Sequence, residues 1–230
     1  ASGNMVLNGK VSVETSGSGT AMISSGDMLR MEGGLGGTGT LAVNTRNNVG
    51  ALTLGGDVSG FSGTLNLTGS NLYLDADTAL AGTLNASSAK VTALRSQNVT
   101  GTLNAASLAV DGTALSADGA VLTVANLALG ADAGVSLNID GNVAEGTYTL
   151  VGWDTLTSGN FVDANSMTLT GTLAGLYQGT FTVDTAGKTV SVSVSMADGV
   201  IVWDGNPIGA VDNTKTCLLY TSDAADDLIG

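Results

Sequence analysis

Apolar and polar residues alternate in short bursts along this chain, and between Phe61 and Ala131 the bursts recur in rows of 19 residues. Gly63-Thr64-Leu65-Asn66 returns as Gly82-Thr83-Leu84-Asn85 and again as Gly101-Thr102-Leu103-Asn104. An apolar residue (Phe61, Leu80 or Val99) stands two places before each glycine. Read at this spacing, one apolar column runs Leu65, Leu84, Leu103, Leu122. A second runs Leu72, Val91, Val110, Leu129, and a third runs Leu67, Ala86, Ala105, Val124. Within a row, Leu65 and Leu67 alternate with Thr64 and Asn66, and Leu72 and Leu74 flank Tyr73. Alternation of this kind puts the leucines on one face of a strand and the polar residues on the other.

A fixed period near 20 residues is the mark of a solenoid or array. The predicted fold is all-β: a single-stranded, right-handed parallel β-helix of about 19 residues per coil, with irregular terminal coils or a β cap. Each row holds about three strand-like pieces; in the first these are Thr64–Leu67, Asn71–Leu74 and the region of Leu80. Stacked rows turn each apolar column into an interior ladder. They also set Thr64, Thr83 and Thr102, and Asn66, Asn85 and Asn104, in outward ladders where amides bond to one another. One row alone cannot bury enough apolar surface to offset its ordering entropy, so stability must accumulate with row number. The left-handed form places an aliphatic residue every six positions, whereas Leu65, Leu72 and Leu80 are 7 and 8 apart. That spacing favours the right-handed form.

The pattern divides the chain. Residues 1–131 read as parallel coils, with short strands at Met5–Leu7, Val11–Val13, Ala21–Ile23 and Met28–Met31 and a further repeat copy at Gly39–Val43. The first residue falls inside this pattern, which is the expectation for a chain cut from a longer one. After Ala131 the period fades, the strands lengthen and aromatics gather (Tyr148, Trp153, Phe161, Tyr177, Phe181), so residues 132–198 read as irregular terminal coils or a cap. Gly187-Lys188 marks a hairpin turn there. Residues 199–216 read as the start of a further module, and 217–230 as a non-native tail.

Composition supports many short strands and turns. The 230 residues include 34 glycines and a single proline, Pro207; 43% are hydrophobic but only 4% aromatic, so the core must be aliphatic. The net charge is −13, and of the 20 acidic residues only Glu14, Glu32 and Glu145 are glutamate. Aspartate is a turn residue and glutamate a helix former. A chain so acidic lacks the Lys/Arg footprint that nucleic-acid binding requires. No apolar run is long enough to span a bilayer, and no signal-peptide pattern opens the chain. The lone cysteine, Cys217, leaves the repeats without disulfides or thiolate metal sites.

The chemistry of catalysis is sparse. There is no histidine, which removes the usual general base and the commonest metal ligand. The lysines (Lys10, Lys90, Lys188, Lys215) give no serine an evident base. A glycan hydrolase needs converging carboxylates. Asp75 and Asp77, with Arg95 about one row on, are the one candidate, yet one row beyond them lie Leu94 and Ser96, and no acidic column forms. Arg30 and Arg46 show no acidic partner in register. Asp111, Asp118 and Asp132 lack the nine-residue spacing of a calcium roll. The triplets at Asn66, Asn85 and Asn98 match glycosylation acceptors, but read as by-products of the polar ladder. No cofactor, metal or catalytic residue is expected.

Ser62-Gly63-Thr64-Leu65-Asn66-Leu67-Thr68-Gly69 resembles the autotransporter-associated β-strand repeat of bacterial surface proteins. Gly146-Thr147-Tyr148-Thr149-Leu150-Val151, followed by Ser158-Gly159-Asn160-Phe161, is similar to the section that follows such repeats. Together the likeness covers about residues 35–200. It implies a secreted, cell-surface, right-handed β-helical passenger of a Gram-negative-type cell, usually followed by a membrane barrel. Residues 217–226, Cys-Leu-Leu-Tyr-Thr-Ser-Asp-Ala-Ala-Asp, resemble a sequencing-library transposase adapter translated in frame. The expected function is a non-catalytic, structural or adhesive segment meeting glycans or surface proteins by weak multivalent contact, without membrane insertion by this segment. The alternative is a carbohydrate-active β-helix, a lyase or hydrolase with a site on its outer wall.

Overall fold

The computed structural model describes residues 5–14, 18–23, 28–45, 50–69 and 71–198. The expectations for Arg46, residues 199–216 and the tail at 217–230 lie outside them. The described chain is all-β. Its strands are β1 (Met5–Leu7), β2 (Val11–Val13), β3 (Ser18–Ile23), β4 (Met28–Met31), β5 (Leu35–Gly37), β6 (Thr40–Thr45), β7 (Ala51–Gly56), β8 (Thr64–Thr68) and β9 (Asn71–Ala76). There follow β10 (Thr83–Ala93), β11 (Gln97–Asp111), β12 (Leu122–Leu129), β13 (Val135–Asn138), β14 (Gly146–Ser158), β15 (Thr168–Thr170), β16 (Tyr177–Asp184) and β17 (Thr189–Met196). Single turns of 3-10 helix sit at Gly112–Ala114, Ala164–Ser166 and Ala174–Leu176. Fifteen strands join one large, mostly parallel sheet, and β2 and β5 form a separate pair.

The pairing follows three tracks, which the chain visits in the same order row after row. The middle track joins Leu41, Leu65, Leu84, Leu103, Leu127 and Leu156 side by side in parallel register. The next joins Leu29, Leu52, Leu72, Val91, Leu108 and Val135. The remaining track pairs Leu80 with Val99, Val99 with Val124, and Val124 with Trp153. Side chains on the inner alternation of all three enter one continuous apolar cluster. Leu52, Leu65, Leu72, Leu84 and Leu103 are 0% exposed. On the middle track Thr64, Thr83 and Thr102, on the other face of the pleat, stay part-exposed, as period-2 alternation demands; on the next track Thr53 and Thr92 are buried.

The 19-residue register holds from Leu65 through Leu84 to Leu103, then changes. Leu103 pairs with Leu127, not Leu122; Leu122 sits between Gln97 and Val151. The reason is the segment after β11, where a 3-10 turn and a loop lengthen the row. Val91 pairs with Leu108, not Val110; Val110 pairs with Leu137, and Leu129 with Ala105. Here the cause is a bulge. Ser87, Ser88 and Ala89 lie opposite the single residue Ala106, so the register slips by two between Ala86 and Lys90. A slip of two keeps every side chain on its own face, whereas a slip of one would turn the apolar set outward. Val124 pairs with Val99, while Ala105, its expected neighbour in the third column, pairs with Ala86 and Leu129.

The repeated glycine has a steric cause. A Cβ on Gly82 would stand 2.6 Å from the carbonyl oxygen of Gly63 and 2.7 Å from the Phe61 ring. Gly63 and Gly101 likewise press on the backbone of the preceding row, at Gly39 and Gly82.

Beyond residue 131 parallel pairing continues through β13 and β15, while a second geometry begins. The first half of β14 pairs antiparallel with β17, which forms a hairpin with β16. Its inner face buries Tyr177, Phe181, Val190, Val192 and Val194. The Tyr177 hydroxyl accepts a hydrogen bond from the Val143 amide at 3.1 Å, and Glu145 accepts from the Met196 amide at 2.8 Å.

Candidate functional site

Three surface features arise from these tracks. The first is the amide ladder. Because Asn66, Asn85 and Asn104 share one register position, Asn85 Nδ2 donates to Asn66 Oδ1 at 2.7 Å and Asn104 Nδ2 donates to Asn85 Oδ1. The next positions in the column are Ala42 and Ala128, so the ladder is three rungs long. Replacing Asn85 by Asp leaves the middle rung an acceptor only, facing the Asn66 oxygen. Asn85→Asp should therefore cost about 1–3 kcal/mol at neutral pH, and recover part of it once the carboxyl is protonated. Thermal melts of both proteins across the acid range check this.

The second feature is an ionic network on the neighbouring track. Arg95 Nε donates to Asp75 at 2.6 Å and its Nη1 to Asp77 at 2.6 Å. Arg30 Nε pairs with Glu32 at 3.0 Å, and its Nη2 reaches Asp75 at 3.5 Å. Arg30 thus does have acidic partners, contrary to its register reading. On the intervening strand Arg30 pairs with Thr53, and Gly55, which offers no side chain, lies beside Asp75. Asp75 is the least exposed member at 19%. Two guanidiniums thus lie on Asp75 and one on Asp77. Among the described residues no three Asp, Glu, His or Cys side chains are grouped to hold a metal ion.

One spacing was passed over in the sequence. Ser87-Ser88-Ala89-Lys90 places a lysine three residues after a serine. That spacing brings the two side chains together on a helix, where residues three apart are neighbours. Here it falls on the bulge of a strand, with Ser87 and Lys90 both exposed.

Compared with protein-family models, curated proteins and solved structures, the chain matches none.

The third feature is a groove of about 640 Å³ between the outer wall and the turn joining β16 to β17. Asn98, Thr123 and Gly152 lie side by side on its floor, and Thr189 pairs with Gly152 across the antiparallel edge. The Lys188 ammonium donates to the Asp154 carbonyl at 2.6 Å, and the Trp153 amide to the Lys188 carbonyl at 3.1 Å. Lys188 holds φ at 55°, the left-handed conformation a tight turn requires. Trp153 itself is buried, its ring centroid 5.1 Å from that of Phe161.

Two aspartates serve structure. Asp57 accepts from the Ser59 hydroxyl at 2.6 Å and amide at 3.0 Å, from Lys10 at 3.1 Å and from Thr78 at 3.0 Å. The Ser59 bonds, and then Lys10 and Thr78, hold its carboxyl well below the usual carboxylate range. Asp140 is lowered in the same direction by the Thr172 amide, Asn138 and the Thr172 hydroxyl. A carboxylate depressed by folding stabilises the fold above its unfolded pKa, and that contribution is lost as pH falls toward the folded value. Asp57→Asn should therefore melt below wild type at neutral pH. The gap should begin to narrow below about pH 4 and go on narrowing as pH falls toward the depressed folded value, as thermal melts followed by circular dichroism would report.

Proposed function

We propose that this chain is a stiff, non-catalytic segment of an extracellular bacterial surface protein, built as a right-handed parallel β-helix of about 19 residues per coil. The carrying observation is the in-register column Thr40, Thr64, Thr83, Thr102 beside the buried column Leu41, Leu65, Leu84, Leu103. Three tracks visited in constant order, with one side of each strand in a common core, are what such a coil requires. Parallel crossovers are overwhelmingly right-handed, which supports the hand. The antiparallel hairpin at β16–β17 suits a cap, since an open end of stacked strands invites pairing with another chain. The acidic surface and the three-rung amide ladder suit a soluble, polar rod that projects other regions or offers weak repeated contacts. The autotransporter-like passenger reading rests on the repeat resemblance.

The carbohydrate-active alternative has Asp75 and Asp77 on one guanidinium in its favour, but the same guanidinium occupies both carboxylates. The purified chain is to be assayed for lyase and hydrolase turnover on a polysaccharide panel, and for binding on a glycan array as free chain and as bead-coupled chain. The expected result is no turnover, and binding that strengthens on beads. Turnover contradicts the proposal.

A further inference from the structure

We infer that the groove beside the β16–β17 turn binds a short stretch of neutral oligosaccharide. The inference deepens the surface-segment reading and rests on it for a glycan as occupant. Four adjacent strands supply Asn98, Thr123, Gly152 and Thr189 to its floor, and Gly152 supplies no side chain. Its volume of about 640 Å³ lies within the range of small-ligand sites.

The lining chemistry selects the ligand. A sugar hydroxyl both donates and accepts, so its site must offer both. The Thr123 hydroxyl shares its proton between Asn98 Oδ1 at 3.2 Å and the Gln97 carbonyl at 3.3 Å, and the Asn98 amide keeps its Nδ2 protons as donors. Thr189 brings a hydroxyl, Asp154 a carboxylate acceptor, and Lys188 an ammonium with protons beyond the one given to the Asp154 carbonyl. One cation and one anion balance locally, which favours neither a phosphate nor a polycation. The net charge of −13 adds a general repulsion toward acidic polymers. A neutral, hydroxyl-rich chain is the ligand class that remains.

A side chain can begin at Gly152, a buried position, within ordinary contact distances. A Cβ at Gly152 would meet the Ala120 Cβ at 3.4 Å and Thr123 Cγ2 at 3.9 Å, ordinary contact distances. The experiment titrates neutral hexasaccharides of glucose, mannose, galactose and N-acetylglucosamine, with hexagalacturonate as the anionic comparison, into the full chain. Binding is read by ligand-observed NMR. At least one neutral hexasaccharide should bind with a Kd of about 0.1–10 mM. Gly152→Leu should weaken that binding at least about tenfold at an unchanged melting temperature. Lys188→Ala and Asn98→Ala, both at exposed positions, should each weaken it by a smaller factor and serve if Gly152→Leu fails to fold. No binding of any neutral hexasaccharide, tighter binding of hexagalacturonate, or binding that these variants leave unchanged would overturn the inference. Binding that survives Gly152→Leu and both exposed variants sinks the groove yet leaves glycan contact elsewhere on the wall intact. Cleavage of the bound hexasaccharide sinks the non-catalytic reading and leaves the groove.

Discussion

Leu84→Ala should destabilise this protein by about 2–5 kcal/mol. Leu84 is wholly buried between Leu65 and Leu103, so its loss leaves a hole with close-packed neighbours in the rows before and after. Those neighbours are fixed by backbone pairing and cannot collapse into the space, which is the condition under which a cavity costs most. Ser88→Ala, four residues on at an exposed position of the same strand, should change stability by under about 0.5 kcal/mol. Urea unfolding of the two variants beside wild type measures the contrast. Equal effects would mean that Leu84 does not sit in a close-packed interior.

The second large effect reverses an ordinary expectation. Changing a glycine to alanine in an extended segment usually stabilises by about 0.4–1 kcal/mol, because the unfolded chain loses freedom. Gly82→Ala should instead destabilise by about 1–3 kcal/mol. Its new methyl would stand 2.6 Å from a backbone oxygen and 2.7 Å from the Phe61 ring, and both belong to the preceding row. Neither yields without moving that row. Gly141→Ala supplies the comparison, since nothing lies within 4 Å of a Cβ there, and it should be neutral or stabilising. A stabilised Gly82→Ala protein would show that the rows do not approach as closely as described. The glycine of the Gly-Thr-Leu-Asn repeat is thus a packing residue: the close approach of successive rows leaves no room for a side chain.

The alternation of Leu65 and Leu67 with Thr64 and Asn66 was enough to place the middle track and the amide ladder, because both repeat without insertion from β8 to β11. Equal spacing failed where the backbone changed length. The bulge at Ser87–Ala89 has no hydrophobic signature, since a slip of two preserves alternation and hides from any pattern of inside and outside. The longer row before β12 moved Leu122 to another track while keeping it buried, so burial was readable and position was not. The partners of Arg30 lie outside the 19-residue register: Glu32 stands two residues along the chain, and Asp75 lies two strands away, beyond the strand that carries the side-chain-free Gly55. The groove left no linear trace. It needs an antiparallel hairpin to meet a parallel wall over Gly152, which no periodicity encodes.

Successive rows lie side by side, paired strand to strand. The outward column Thr40, Thr64, Thr83, Thr102, Asn126, Thr155 measures this directly. With Cys217 replaced by Ser, one spin label is placed at Thr155 and a second in turn at Thr102, Thr83, Thr64 and Thr40. Pulsed dipolar spectroscopy then reads the distances. The account predicts a mean distance that grows by about 4.8 Å with each row, reaching about 24 Å at Thr40. Distances that do not rise in that order, or that rise by an irregular step, would contradict it.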